Sequence, residues 1–217
     1  MTSISNAPSW AEWILRALLP PDRADAVTGD LLEAFRDESR LSGRLARQAW
    51  WARQVASRFL RSYYLFPLAM IATLVWNDLF NTFRDVNGNN VGPNLFGPML
   101  FIVFLGAGTF GGWRTRRTIG GVIASGGSHL VGWSAIICWF AVTTYPFALS
   151  QQQNPYWIQA WRGSAAPGES FIHWIVWDNV GAVLLGGSAL LLLAFVAGLA
   201  GGITGRWLGR HRAPSRA

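Results

Sequence analysis

The sequence predicts an all-α, polytopic membrane protein, with four transmembrane helices preceded by a small cytoplasmic helical segment. Three observations predict this fold. Of the 217 residues, 51% are hydrophobic and only 13% are charged, roughly half the charged fraction of a soluble domain. Four apolar stretches are long enough to cross a bilayer, which takes about 20 helical residues. The basic residues all lie outside these stretches.

The four predicted spans run from Ser62 to Phe80, from Pro93 to Trp113, from Ile119 to Pro146 and from Val180 to Thr204. Each must be helical, because backbone groups in lipid have no water to bond and must satisfy one another. The chain therefore divides into three parts: a cytoplasmic amphipathic segment (1–61), a four-helix transmembrane bundle (62–205) and a basic cytoplasmic tail (206–217).

The arginines predict the orientation. All 18 basic residues are Arg, and with four spans both termini and the turn at 114–117 lie on one side. That side holds every arginine except Arg84 and Arg162. By the positive-inside rule this side is cytoplasmic. Because the arginines flank apolar segments and form no single basic face, we expect no binding to nucleic acid.

The first 61 residues are predicted to form three helices: Trp10–Leu19, Asp22–Leu41 and Arg44–Arg61. Ser9 followed by Glu12 has the spacing of a capping box that opens the first helix. Pro20 and Pro21 separate it from the second, since proline cannot donate a backbone hydrogen bond.

The third of these helices is basic and amphipathic, with Trp51, Val55 and Phe59 on one stripe. A basic amphipathic helix just before a span is suited to an anionic cytoplasmic leaflet. The alternative is a solvated extension of the first span. We predict membrane-surface or partner contacts for seven residues of this helix: Arg44, Arg47, Trp50, Trp51, Arg53, Arg58 and Arg61.

A family resemblance covers about residues 10–61. Leu18-Leu19-Pro20-Pro21, the Gly29-Asp30-Leu31 step with Glu33 and Phe35, and the Trp50-Trp51-x-Arg53-Gln54 run resemble the permease prefix domain of Acidobacteria and related phyla. In that family the segment precedes the permease subunit of ABC-type exporters. Short membrane proteins with similar segments are often associated with PadR-like regulators. The resemblance implies a bacterial inner-membrane protein with a cytoplasmic interaction module.

The rest of the chain departs from the exporter pattern. Exporter permeases of that kind carry a large periplasmic domain between spans one and two, whereas this connection spans only about residues 81–92. The resemblance therefore implies the module and not the transport activity.

No catalytic motif is found, and we expect the chain not to be an enzyme. A phosphate-binding loop of the Walker type needs a Lys, and the sequence has none. Clusters of Cys and His with metal-ligand spacing are also absent from it, so no metal site and no cofactor are predicted.

His129 is the one ionisable residue predicted near mid-membrane, because it follows Arg117 by 12 positions, or about 18 Å of helix. A neutral histidine hydrogen-bonded within a packed helix interface is the favoured interpretation. A ligand to a haem or chlorophyll-type macrocycle, or a proton-relay site, is the alternative. The same helix arithmetic places Asp78, Asp178 and His173 at the outer interface, where they meet water.

Two Gly-x-x-x-Gly pairs are predicted to be helix-packing surfaces: Gly108 with Gly112, and Gly198 with Gly202. Small residues at this spacing let another helix approach closely. That helix could belong to the same bundle, which we favour, or to a partner subunit.

The sequence therefore predicts a non-catalytic inner-membrane protein that acts as an accessory or scaffold subunit of a larger transport, respiratory or photosynthetic complex. Its partners would be the anionic inner leaflet and other integral membrane subunits. The alternative is a regulatory or permease-type component associated with an ABC-type exporter.

Overall fold

The computed structural model describes residues 7–38, 43–82 and 96–211, with residues 78–82 and 96 described by their backbone alone. Within these ranges the chain forms eight α-helices and no strand. The helices are α1 (Ser9–Leu18), α2 (Pro21–Asp37), α3 (Arg44–Tyr63), α4 (Leu65–Thr82), α5 (Phe96–Thr115), α6 (Thr118–Ser150), α7 (Pro155–Ser164) and α8 (Phe171–His211).

Two helices, α6 and α8, are long and apolar enough to cross a membrane. A third candidate span is the bent pair Arg44–Tyr63 and Leu65–Asn77, whose two parts meet at 78°. The described residues thus contain two or three candidate spans, and the four predicted from the sequence are not confirmed. The length and apolar character of these helices are those of a membrane protein.

The apolar surface of α6 and α8 supports this assignment. Large side chains such as Val142, Leu185 and Leu192 are 74%, 76% and 69% exposed. Soluble monomers seldom expose contiguous apolar surface on this scale, because hydration of hydrocarbon is unfavourable. Lipid is the solvent that suits these faces.

The amphipathic helices α1–α3 begin and end close to the predicted positions, but the predicted capping box is wrong. Pro8 is the N-cap of α1, and no side chain caps the helix. The Pro8 carbonyl accepts the first backbone hydrogen bonds, from Ala11 at 2.9 Å and Glu12 at 3.2 Å. Since the fixed φ of proline suits a helix start, the helix begins one residue earlier and Ser9 lies inside it.

The chain folds as two compact units. The first comprises Met1–Phe66, Phe104–Ser128 and Ala194–Ala217. It holds the amphipathic helices together with parts of α5, α6 and α8. Its α5–α6 connection is only two residues long, and Arg116 adopts a left-handed backbone with φ 55° there.

The second unit comprises Pro67–Val103 and His129–Leu193. It includes the short helix α7 (Pro155–Ser164). Asn154 caps α7 by accepting a hydrogen bond from the Tyr156 backbone N–H, and Pro155 occupies its first turn. Pro146, predicted to end the third span, instead lies inside α6.

Candidate functional site

The amphipathic helices form a module with an aromatic core. Within the first unit, α1 packs against α2 and α3. The ring centroid of Phe35 lies 5.3 Å from that of Trp50 and 5.7 Å from that of Trp51, and the two indoles meet edge to face at 5.0 Å. Such tilted and edge-to-face contacts are the favourable arrangement for aromatic rings.

This core corrects part of the sequence prediction. Trp50 and Trp51, predicted to contact the membrane surface or a partner, are only 6% and 1% exposed. Both side chains pack against α2. The apolar stripe of α3 is therefore buried in protein and not in lipid. The arginines at 44, 47, 53 and 61 remain exposed, and Arg58 is half-buried, so the charged part of the predicted surface persists.

Helix α2 presents an acidic face. Asp30, Glu33 and Asp37 are exposed and follow the i, i+3, i+7 spacing of one helix side. Leu31 and Phe35, on the opposite side, are buried in the module. The module therefore exposes negative charge on α2 and positive charge on α3.

Polar contacts hold the module together and attach it to the α5–α6 turn of its own unit. Within the module, the Tyr63 hydroxyl of α3 donates to the Leu18 carbonyl of α1 at 3.3 Å. Arg117, at the start of the α6 region, donates through Nη1 to the Arg16 carbonyl at 3.2 Å, and the Arg114 guanidinium lies 5.9 Å from the Tyr63 ring centroid. These contacts fix α1 and the end of α3 against the α5–α6 turn.

The two predicted glycine pairs lie against each other in the first unit. A Cβ added at Gly108 would lie 2.8 Å from the Cα of Gly198, and one at Gly112 would lie 2.8 Å from the Cα of Gly202. Real Cβ atoms do not approach other atoms this closely, so α5 and α8 pack backbone to backbone. The partner of each glycine pair is thus the other pair in the same chain.

One contact between α6 and α8 has no clear sequence signal. The Ser125 hydroxyl, fully buried, donates to the Ala194 carbonyl on α8 at 2.7 Å. A serine in an apolar helix usually bonds its own preceding turn, as Ser128 does with Ala124. Only the close approach of α6 and α8 makes the interhelical bond possible.

His129 belongs to the second unit and is 2% exposed. Its ring makes a hydrogen bond with the backbone of Gly187 on α8. It also stacks on Trp133, with centroids 5.7 Å apart and planes inclined by 17°. The histidine therefore has a polar contact with α8 and an aromatic contact within its own helix α6, the arrangement expected of a structural histidine.

His173 lies in the first turn of α8, in a chain of hydrogen bonds. Its Nδ1 is 2.8 Å from Glu169 Oε1, and the Trp177 indole N–H donates to its Nε2 at 2.9 Å. The indole N–H can only donate, so Nε2 is the acceptor in this contact. The Ala166 N–H, which donates to Glu169, lowers the pKa of this carboxyl below its ordinary 4.5, and the His173 side chain lowers it further.

The second unit also contains a cavity of about 700 Å³. Asp178, predicted at the outer interface, lines this cavity and is exposed. Asp78, also predicted at the outer interface, lies outside the described side chains. Aromatic and aliphatic residues of α4, α6, α7 and α8 form most of the wall. Nothing in the sequence pattern marks this cavity, because its lining comes from four separate helices.

Among the residues that the structure describes, no group of three or more His, Cys, Asp or Glu side chains could hold a metal ion. Comparisons with protein-family models, with curated proteins and with solved structures found no match for this chain. The class that the fold itself defines is an all-helical protein with apolar helices suited to a membrane.

Proposed function

We propose that this chain is a non-catalytic integral protein of the bacterial inner membrane that acts as an accessory or scaffold subunit of a larger membrane complex. In this proposal it crosses the membrane four times, through α4, α5, α6 and α8, and both termini are cytoplasmic. Helix α5 has the required length, at 20 residues, and the arginine distribution favours this orientation.

The observation that carries the proposal is the helical module and its attachment. An aromatic core and the hydrogen bond from Tyr63 to Leu18 hold α1–α3 in a defined shape. The contacts that Arg114 and Arg117 make with the module fix that shape to the α5–α6 turn. A mobile tail would need no such core. A rigid cytoplasmic platform with an acidic face and a basic helix is suited to binding another subunit, because charge complementarity gives specificity.

The acidic face of α2 is the proposed contact, since the glycine pairs are already occupied within the chain. Asp30 and Glu33 are fully available there: both are exposed. Replacing both by arginine reverses the charge of the face without touching the buried side of the helix. Like charges placed against a basic partner surface oppose association.

The test is purification of the full-length chain from its native membrane in a mild detergent, followed by mass spectrometry of the co-purifying chains. We expect at least one integral membrane partner in near-stoichiometric amount, lost in the Asp30→Arg, Glu33→Arg double variant. The double variant Ala49→Arg, Ala52→Arg, also on exposed residues of the module but on α3, should retain it. Recovery of the wild-type chain only as an isolated monomer would contradict the proposal. A partner that is an ABC-type ATPase would favour the exporter-associated alternative.

A further inference from the structure

We infer that the cavity of the second unit is a binding site for an amphipathic organic cation. The inference is independent of the scaffold function and starts from size. At about 700 Å³, the cavity lies within the range that holds small organic ligands, about 300–1,000 Å³.

The cavity has one polar end. The polar lining residues of α6 and α8 lie at the same end of the two helices: Thr143, Thr144, Asp178 and Asn179. Each is about ten positions from the contact between Trp133 and Gly187. In both helices they lie on the side of that contact nearer to the segment that connects α6 to α8. The Asn179 amide N–H₂ donates to the Ile175 carbonyl at 2.8 Å, which leaves its carbonyl oxygen as an acceptor. The groups at this end thus offer oxygen atoms, which suits a positively charged or donor head group.

The opposite end is apolar and has room. On α8 the lining continues from Asp178 to Leu190, about 18 Å of helix. It passes Gly186, where an added Cβ would meet nothing within 4 Å. A small residue facing open space within a cavity wall leaves volume for the body of a ligand.

The charge of the ligand follows from the lining. Within the described part of the chain, Asp178 is the one carboxylic acid in the cavity wall, and no described Arg or His lines it. The wall also contains five aromatic rings, those of Trp133, Phe140, Phe147, Tyr156 and Trp157. Aromatic faces attract cations, including quaternary ones that have no N–H to donate. A carboxylate and aromatic faces together select a cation over an anion or a neutral molecule.

The test uses the full-length protein in lipid nanodiscs and two probes of similar shape. Tetraphenylphosphonium is the cation, triphenylphosphine oxide is the neutral probe, and their dissociation constants are measured by equilibrium dialysis. The wild-type protein should bind the cation more tightly than the neutral probe. Asp178→Asn should weaken cation binding about tenfold, because a charge-assisted contact is lost, and leave the neutral probe unaffected. Asp178→Glu should restore cation binding.

Two glycine variants test the location. Gly186→Leu fills the cavity and should abolish binding of both probes. Gly181→Leu, on the same helix and outside the lining, is its matched control, because a Cβ there also meets nothing within 4 Å. It should bind both probes as the wild type does.

A further variant decides the charge assignment even if Asp178→Asn does not fold. Ala182→Lys places an ammonium group one helical turn from Asp178, where it competes for the carboxylate, and it should weaken cation binding. The proposal is overturned if the wild type does not bind the cation, or if Asp178→Asn or Gly186→Leu binds it unchanged. It is also overturned if co-purified phospholipid occupies the cavity and the cation does not displace it.

Discussion

At the scale of single residues, local contacts explain the buried and titratable side chains. His129 contacts the Gly187 backbone and the Trp133 ring, and both contacts lie within the second unit. An intramembrane histidine is a functional candidate by default, so its neighbours decide between the two interpretations. The contacts with the Gly187 backbone and the Trp133 indole favour the packing interpretation, and we expect His129 to act in packing.

His129→Leu should therefore lower the thermal unfolding temperature and leave the absorption spectrum unchanged. The substitution keeps the volume of the side chain but removes a hydrogen bond, which costs about 1 kcal/mol. Thermal unfolding in detergent and a visible spectrum of the purified protein provide the measurements. A visible absorption band in the wild type that disappears in His129→Leu would establish a macrocycle ligand instead.

Glu169 gives a prediction of pH dependence. Its pKa in the folded protein lies below the ordinary 4.5, first because the Ala166 N–H donates to it and next because His173 does. A carboxyl group with a lowered pKa stabilises the folded state above its unfolded pKa and loses that contribution as the pH falls through the folded value. Order at the start of α8 should decrease as the pH falls below 4.5.

Trp177 fluorescence is a suitable measure, since its indole N–H donates to His173 in the same chain of hydrogen bonds. The other tryptophans of the protein also fluoresce. Their contribution is subtracted by following the difference in fluorescence between the wild type and Glu169→Gln from pH 6 to pH 3. The variant should lack the transition that the wild type shows. Identical titrations of the two proteins would mean that Glu169 does not control this turn.

At the scale of secondary-structure elements, two helix interfaces depend on the size of the side chains. Helices α5 and α8 approach through glycines, and α2 and α3 through aromatic rings. The first interface has no space for a methyl group. The second depends on large rings, whose removal leaves a cavity.

Gly108→Ala should destabilise the protein by about 1–3 kcal/mol, because its Cβ must displace the backbone of Gly198. The matched control on the same helix is Gly97→Ala, whose Cβ meets nothing within 4 Å. In thermal unfolding, Gly108→Ala should have a clearly lower unfolding temperature than Gly97→Ala. Equal stability would show that α5 and α8 do not pack through these glycines.

Trp51→Ala should destabilise the protein by about 3–5 kcal/mol, since a fully buried indole leaves a large cavity. Trp13→Ala, on an indole that is 55% exposed, should change stability little. Chemical or thermal unfolding of both variants provides the comparison. If Trp51→Ala were as stable as the wild type, the original interpretation of this tryptophan as a lipid contact would be restored.

At the scale of the whole molecule, the proposed orientation in the membrane rests on charge. Only Arg84 and Arg162 lie outside the group of arginines assigned to the cytoplasmic side. Keeping arginine on that side is favourable because translocating guanidinium groups is costly. The orientation proposed above therefore depends on the number of spans being even.

Single-cysteine labelling tests this orientation. In a Cys138→Ser background, which removes the one native cysteine, Arg117→Cys and Gln152→Cys are placed on exposed positions of the α5–α6 turn and the α6–α7 connection. A membrane-impermeant maleimide applied to intact spheroplasts should label Gln152→Cys and not Arg117→Cys. Labelling of both or the reverse pattern would contradict four spans with cytoplasmic termini.

The sequence by itself determined the helical class, the amphipathic module and most helix positions. Apolar run length, helical periodicity and proline are local properties, and each depends only on neighbouring residues. It also marked His129 and the glycine pairs as residues that need a close neighbour, although it could not say which helix supplies that neighbour.

The tertiary structure alone decided which surfaces are used internally. Trp51 has the same periodicity whether its stripe faces lipid or Phe35, and Gly108 has the same spacing whether it meets Gly198 or another protein. The cavity beside Asp178 is assembled from residues far apart in the chain. A local sequence pattern does not distinguish between partners that are chemically equivalent. These outcomes depend on which helices come together in the tertiary structure.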